Sequence, residues 1–380
     1  MRSTFWRYVF VAGSMALLTG CTIDPAVQTE GTSGLASVAD QPLAERPASL
    51  TTAPTVAPAC SSEIIQQLLT PAAVDPTPVA LACSAILPPD STVSRQIVFE
   101  GSSASGSGLD CNGGLLEGTD LKRDREAVVI RSRKVGDTWS TPVGVTVRNC
   151  RIINGLRIYG LGRNADEQAV RLSSMNRNHT ALAQAAAPSG IVLDHLRFTN
   201  SNWIPLYIGP GVTNVTLSNS QFTGTSTSTA IYLDAESGAT TIVNNSFDLR
   251  SNPRELIAID GSAYNIITGN RFNRASKGGI FAYRNCGEAG TIRHQAPQFN
   301  RIEKNIFDMN GSSKPAVWLN SRNGNRSYCF KDPSHPFGSS VTWLDLAKHN
   351  IVEDNKVVDG GRNAFRNDDP TNRLSRNGED

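Results

Sequence analysis

Residues 230–272 read AIYLDAESGATTIVNNSFDLRSNPRELIAIDGSAYNIITGNRF. Two phrases of similar length stand in tandem. Each holds a short apolar run closed by an acid, Asp234 after IYL and Asp260 after IAI, and each ends on a phenylalanine, Phe247 and Phe272. Ile242 and Ile267 stand five residues before those phenylalanines. The polar residues between are Gly, Asn, Asp and Ser, which serve turns. Recurrence at such a period is the mark of a repeat architecture in which each unit buries its apolar residues against its neighbours.

The same phrase extends in both directions. Anchors fall at Ile158, Phe198, Phe222, Phe247, Phe272, Phe307 and Val357, each with an aliphatic residue five positions earlier (Ile153, Leu193, Leu217, Ile242, Ile267, Ile302, Val352). The base period is 24 to 25 residues, and gaps of 35, 40 and 50 mark coils that carry insertions. Between anchors lies a second strand, written LYIG, IYLD, IAID, IFAY and VWLN. Two residues before the anchor stand Asn245, Asn270, Asn305 and Asn355, a column suited to hydrogen bonding from coil to coil. The expected class is all-β, a parallel β-solenoid with coils of about 24–25 residues and inserted loops.

The chain has 380 residues, with 36 basic and 34 acidic side chains, a net charge of +2. That balance leaves no electrostatic footprint for nucleic acid. Arg2 and Arg7 precede the apolar stretch VFVAGSMALL, too short for a good membrane span and typical of an export signal. It ends at Leu18-Thr19-Gly20-Cys21, which resembles the lipobox of bacterial lipoproteins. That resemblance implies cleavage before Cys21, lipidation of its thiol, and a membrane partner through an N-terminal anchor. Thr22 after the cysteine implies the outer membrane, on its periplasmic or outer face.

The expected domains are a signal over 1–20, a tether with a small stapled segment over 21–94, a β-helix over 95–365 and a polar tail over 366–380. SSEIIQQLL, from Ser61 to Leu69, suits two helical turns. Six cysteines remain in the exported chain after Cys21. An even number there suggests disulfides, of which sequential pairing is the simplest: Cys60–Cys83, Cys111–Cys150 and Cys286–Cys329.

The coil pattern, the opening LDCNGG at residues 109–114 and the NNSF and GNRF phrases resemble the pectin-lyase-like family of right-handed parallel β-helices over roughly residues 95–365. The run LDAES, DGSA, YRNCGE, RHQ resembles uncharacterised bacterial members, which imply no activity. The family holds polysaccharide lyases, glycoside hydrolases, uronate epimerases and non-catalytic adhesive proteins, so the resemblance specifies fold better than function. The Asp-Pro-His-Asp signature of alginate epimerases does not occur in the chain.

Strands of adjacent coils stack at about 4.8 Å, so residues of one column are side by side. On the second strand two columns point away from the core. One reads Tyr207, Tyr232, Ala258, Phe281, Trp318, and the other Gly209, Asp234, Asp260, Tyr283, Asn320. Exposed aromatic rings beside acids suit sugar binding; the bland alternative is packing under inserted loops. Asp234 and Asp260, one rung apart, are the foremost catalytic candidates, because two neighbouring acids can hold one proton between them. Glu236 could provide the wider separation of an inverting hydrolase, and the same three acids could bind Ca²⁺. Further candidates are Lys277, Arg284 and His294 for catalysis and Arg254 for substrate binding. Residues 163–187 have a helical composition and could wall one end of the groove.

The expected function is polysaccharide cleavage by a surface-tethered monomer. Hydrolysis is favoured over β-elimination, because paired acids are better placed than any single base. The alternative is a non-catalytic, carbohydrate-binding solenoid of the cell envelope.

Overall fold

A computed structural model describes residues 42–49, 55–118, 126–161, 168–200 and 203–379. Cys21 and the signal lie outside the described residues. Three parallel sheets, each of ten strands among the described residues, run the length of the solenoid. Every coil contributes one strand to each sheet. In the coil that opens the quoted stretch these are Ile231–Leu233, Thr241–Val243 and Ser246–Ser251. They pair in parallel register with Ile257–Asp260, Ile266–Thr268 and Arg271–Phe272 of the next coil.

The corners explain the polar spelling of the repeat. Between the second and third sheets one residue turns the chain in the left-handed region: Asn149, His195, Asn219, Asn244, Gly269, Lys304, Asp354 and Arg376 in successive coils. Asparagine and glycine tolerate that conformation best. The next position holds the expected ladder. Asn245 donates its backbone N–H and its Nδ2 to Asn270 Oδ1, both at 2.9 Å. Asn270 repeats this onto Asn305, Asn305 onto Asn355, and Asn355 onto Asn377. A second ladder, Asn265–Asn300–Asn350–Asn372, runs at the corner between the first and second sheets.

The anchors fill one core column. Phe198, Phe222, Phe247, Phe272 and Phe307 stack with ring centroids 4.6–4.8 Å apart and planes within 5–13°. That spacing matches the rung of the sheet, so each ring covers the next, and full burial of such a ring contributes about 2–3 kcal/mol. Helix α1 (Ser62–Leu69) adds Leu68, Ile64 and Ile65 to the core beside the first coils. The three sequential disulfides are formed: Cys60–Cys83, Cys111–Cys150 and Cys286–Cys329.

The solenoid exceeds the expected bounds of 95–365 at both ends. It begins with the strand Val79–Ala80, and the segment expected as a polar tail supplies the strands Arg373–Ser375 and Gly378–Glu379 of the last coil. That coil is hard to see because its strands are short and largely polar, and Asn377 is its most regular residue.

Candidate functional site

The outward face of the first sheet carries the expected column in register. Tyr207 pairs with Tyr232, Tyr232 with Ala258, Ala258 with Phe281, and Phe281 with Trp318. Arginines extend it, Arg157 before Tyr207 and Arg366 after Trp318, the latter 5.1 Å from the indole centroid. In the second column Asp260 pairs with Tyr283. Tyr207 and Tyr232 lie with centroids 6.0 Å apart. Alanine at 258 leaves a gap in this row of rings, and Arg254 reaches to it, 5.4 Å from the Tyr232 ring and 5.8 Å from the Tyr283 ring.

These side chains were expected to face solvent. They point away from the solenoid core, but inserted segments cover them: Asp234 is 2% exposed and Asp260 0%. Tyr207, Tyr232, Phe281, Tyr283 and Asn320 are buried too, and only Trp318 of the aromatic candidates is half-buried. The cover comes from residues 284–298 and 321–349, fastened together by Cys286–Cys329. Burial arises because these insertions carry their own polar groups to satisfy the acids beneath.

Each acid takes the hydroxyl of a tyrosine from the preceding coil. Tyr207 donates to Asp234 Oδ2 at 2.5 Å, and Tyr232 donates to Asp260 Oδ2 at 2.6 Å. Asp234 Oδ1 accepts the Ala235 N–H at 2.7 Å and lies 3.4 Å from Arg293 Nη1. Asp260 accepts the backbone N–H of Asn285 at 2.8 Å and its Nδ2 at 2.6 Å. Burial pushes the Asp234 carboxyl up to about 6; Arg293 opposes this and the Asp260 charge adds to it. Burial and the adjoining carboxylates hold the Tyr207 and Tyr232 hydroxyls well above the usual phenol range.

Above Asp260 the loops place a cationic lip. The Arg322 guanidinium lies 3.6 Å from the centroid of the Tyr283 ring and donates to Asn285 Oδ1. Tyr328 donates to the same oxygen at 2.7 Å. Arg254 donates to the Tyr283 hydroxyl and to Glu255 Oε1, the latter at 2.7 Å. The Arg254 side chain is 25% exposed and that of Glu288, beside Arg293, 44%. Arg322, Tyr328 and Trp318 are half-buried, so a ligand reaches the lip before it reaches the acids.

The structure sets several candidates apart from this lip. Glu236, 0% exposed, accepts from Thr180 Oγ1 at 2.5 Å and from the backbone of His294 and Gln295 at 2.9 and 3.1 Å. Burial pushes its carboxyl up, but His179, His294 and these bonds outweigh that and leave it below its ordinary value. Its partner His179 is driven down to about 4 by burial and is therefore neutral at pH 7. Glu236 thus docks the helix α3 (His179–Ala185) and the loop through His294 onto the coils, and α2 (Gln168–Ser174) is tied to them through the His179–Ser173 hydrogen bond. His294 itself is held at Nε2 by the Ser174 carbonyl at 2.8 Å. Arg284 is buried and donates to the carbonyls of Thr342 and Leu344, clasping the second loop. Lys277 is exposed and lines a different surface.

The expected Ca²⁺ site is not formed either. The Asp234, Glu236 and Asp260 oxygens are each taken by protein donors, and no group of three or more His, Cys, Asp or Glu among the described residues is arranged to hold a metal. Sequence reading places Glu288 and Arg293 beside the acids in an inserted loop, but misses Asn285, Arg322 and Tyr328 as members of the network. They lie in irregular insertions, where no periodicity points to a face.

No curated protein matches the chain. Among solved structures, similar ones include the A-module of mannuronan C-5 epimerase AlgE4 from Azotobacter vinelandii, at 14% identity and a TM-score of 0.39, over 80% of this chain and 79% of that one. The AlgE6 A-module of the same organism shares 12% identity at a TM-score of 0.33, over 80% and 83%. The enzymatically active domain of tailspike protein 2 of bacteriophage CBA120 shares 12% at a TM-score of 0.29, over 78% of this chain and 40% of that one. The family described as "Right handed beta helix region" matches residues 139–326, which include Tyr207, Tyr232, Asp234, Asp260 and Arg293. With its three parallel ten-stranded sheets, the chain is a right-handed parallel β-helix protein.

Proposed function

We propose that this β-helix is carbohydrate-active, and that its site binds an acidic polysaccharide and cleaves it by β-elimination. The observation that carries the reading is the pair of guanidinium groups, Arg254 and Arg322, set against Tyr283 at the open lip of the Tyr–Asp network. A uronate carboxylate at that lip meets two cations, which neutralise it and acidify the adjacent C5–H. Tyr232 then takes the C5 proton while its own hydroxyl proton passes to Asp260. The electron pair forms the C4–C5 double bond and the C4–O bond breaks. Tyr207, backed by Asp234, is the matching pair one coil away and returns a proton to the leaving oxygen. Positioned proton transfers of this kind contribute about 10²–10⁴-fold each.

Hydrolysis, the reaction favoured by the acids alone, would need Asp234 and Asp260 to touch the sugar. Both lie behind the tyrosines that hold them. The saturated hydrogen bonding of both carboxylates also favours a second reading, binding without turnover. Incubation with acidic polysaccharides separates the three. Elimination yields an ultraviolet-absorbing unsaturated end, hydrolysis yields reducing ends without that absorbance, and pure binding yields neither.

The lipid anchor at Cys21 is part of the same proposal, since it would hold the solenoid at the envelope where such polymers lie.

A further inference from the structure

We infer that a notch in the third sheet is a second subsite for the same acidic polymer, distinct from the lip. The proposal rests on the reading of the site as one for acidic sugars.

The notch has a structural cause. In the third sheet the strands Ser246–Ser251 and Ile306–Ser312 are six and seven residues long, but the strand between them, Arg271–Phe272, has two. The long strands stand as ridges two rungs apart, about 10 Å. Between them the chain dives inward. Gly278 at φ +121 permits the dive, because a Cβ there would stand 2.4 Å from the Phe281 ring. The result is a groove of about 650 Å³, the size of a small-ligand site.

Its lining is polar and cationic. Arg250, Arg274 and Lys277 face one acid, Asp248, and Asp248 is bound to Arg274 at 2.6 Å. Arg250 and Lys277 have no ion-pair partner among the described residues. Amides of Asn273 and Asn310 complete the walls. No aromatic ring lines the groove, so it offers charge and hydrogen bonds rather than stacking, which suits a carboxylate-bearing sugar over a neutral one. Its walls also lie close along the chain to residues of the lip. Asn252, in its wall, precedes Arg254 by two residues, and Lys277 precedes the strand Ile280–Tyr283 by three.

The test compares binding of a galacturonate trisaccharide and of polygalacturonate to the purified soluble domain. In the Arg250→Ala/Lys277→Ala variant, affinity for the polymer should fall about tenfold, with a weaker salt dependence, while the trisaccharide binds as before. Arg254→Ala should weaken both. Unchanged polymer affinity in the double variant, with Arg254→Ala still impaired, would overturn the groove and leave the lip intact. Loss of polymer binding in the double variant from a wild type that ignores the trisaccharide would keep the groove and sink the reading of the lip. A wild type that binds neither would overturn both.

Discussion

Asp234 and Asp260 sit one rung apart and bond alike to tyrosines, yet only Asp234 has a guanidinium, Arg293, within ion-pair distance. The Asp234 carboxyl is raised from 3.8 to about 6. A raised acid favours the folded state most when protonated. Its contribution is complete below pH 4 and is lost as pH rises through 6, a loss of about 2–4 kcal/mol. Thermal melts of wild type and Asp234→Asn should therefore converge or cross between pH 4 and 6, with the wild type losing ground as pH rises; a constant difference would contradict the shift. At the lip, Tyr232→Phe should lower kcat by about 10²–10⁴-fold with little change in KM. Arg254→Ala should mainly raise KM, measured by initial rates on an acidic polymer. The acids themselves were legible in the sequence because strand alternation places them. Their burial was not, because Asn285, Arg293 and Arg322 come from insertions that follow no period.

At the scale of the coil, two kinds of column carry the winding. The phenylalanine column was legible because Phe198, Phe222, Phe247, Phe272 and Phe307 recur at one place in the phrase. The first asparagine ladder was legible for the same reason. The second, Asn265–Asn300–Asn350–Asn372, was hidden because all its steps, of 35, 50 and 22 residues, depart from the base period, whereas the first opens on a regular step of 25 from Asn245 to Asn270. Asn270→Ala leaves the Asn245 backbone N–H and Nδ2 without their Asn270 acceptor. It should cost about 2–4 kcal/mol, read by denaturant unfolding, and a loss under about 1 kcal/mol would show that the ladder is decorative. The corner conformations give the physical reason that Asn and Gly dominate the repeat even where no ladder runs.

Within residues 36–380, the solenoid carries its largest insertions beside one sheet. The inserted loops and α2–α3 gather beside the first sheet, held by Cys286–Cys329, by Glu236 and by Arg284. Such loops on a rigid scaffold are where binding surfaces are built. If Cys21 is the lipid site, Cys21→Ala should move the protein from the membrane fraction to the soluble fraction or to an unprocessed precursor; unchanged fractionation would exclude the anchor. The central claim, that this side of the solenoid breaks an acidic polysaccharide by elimination, is tested most directly by incubating the purified soluble domain with a panel of neutral and uronate-containing polymers. Reducing ends and ultraviolet absorbance of the unsaturated product would be followed together. The account predicts both signals from a uronate polymer, none from neutral polymers, and loss of both in Tyr232→Phe. Reducing ends without absorbance, or full turnover by Tyr232→Phe, would contradict it.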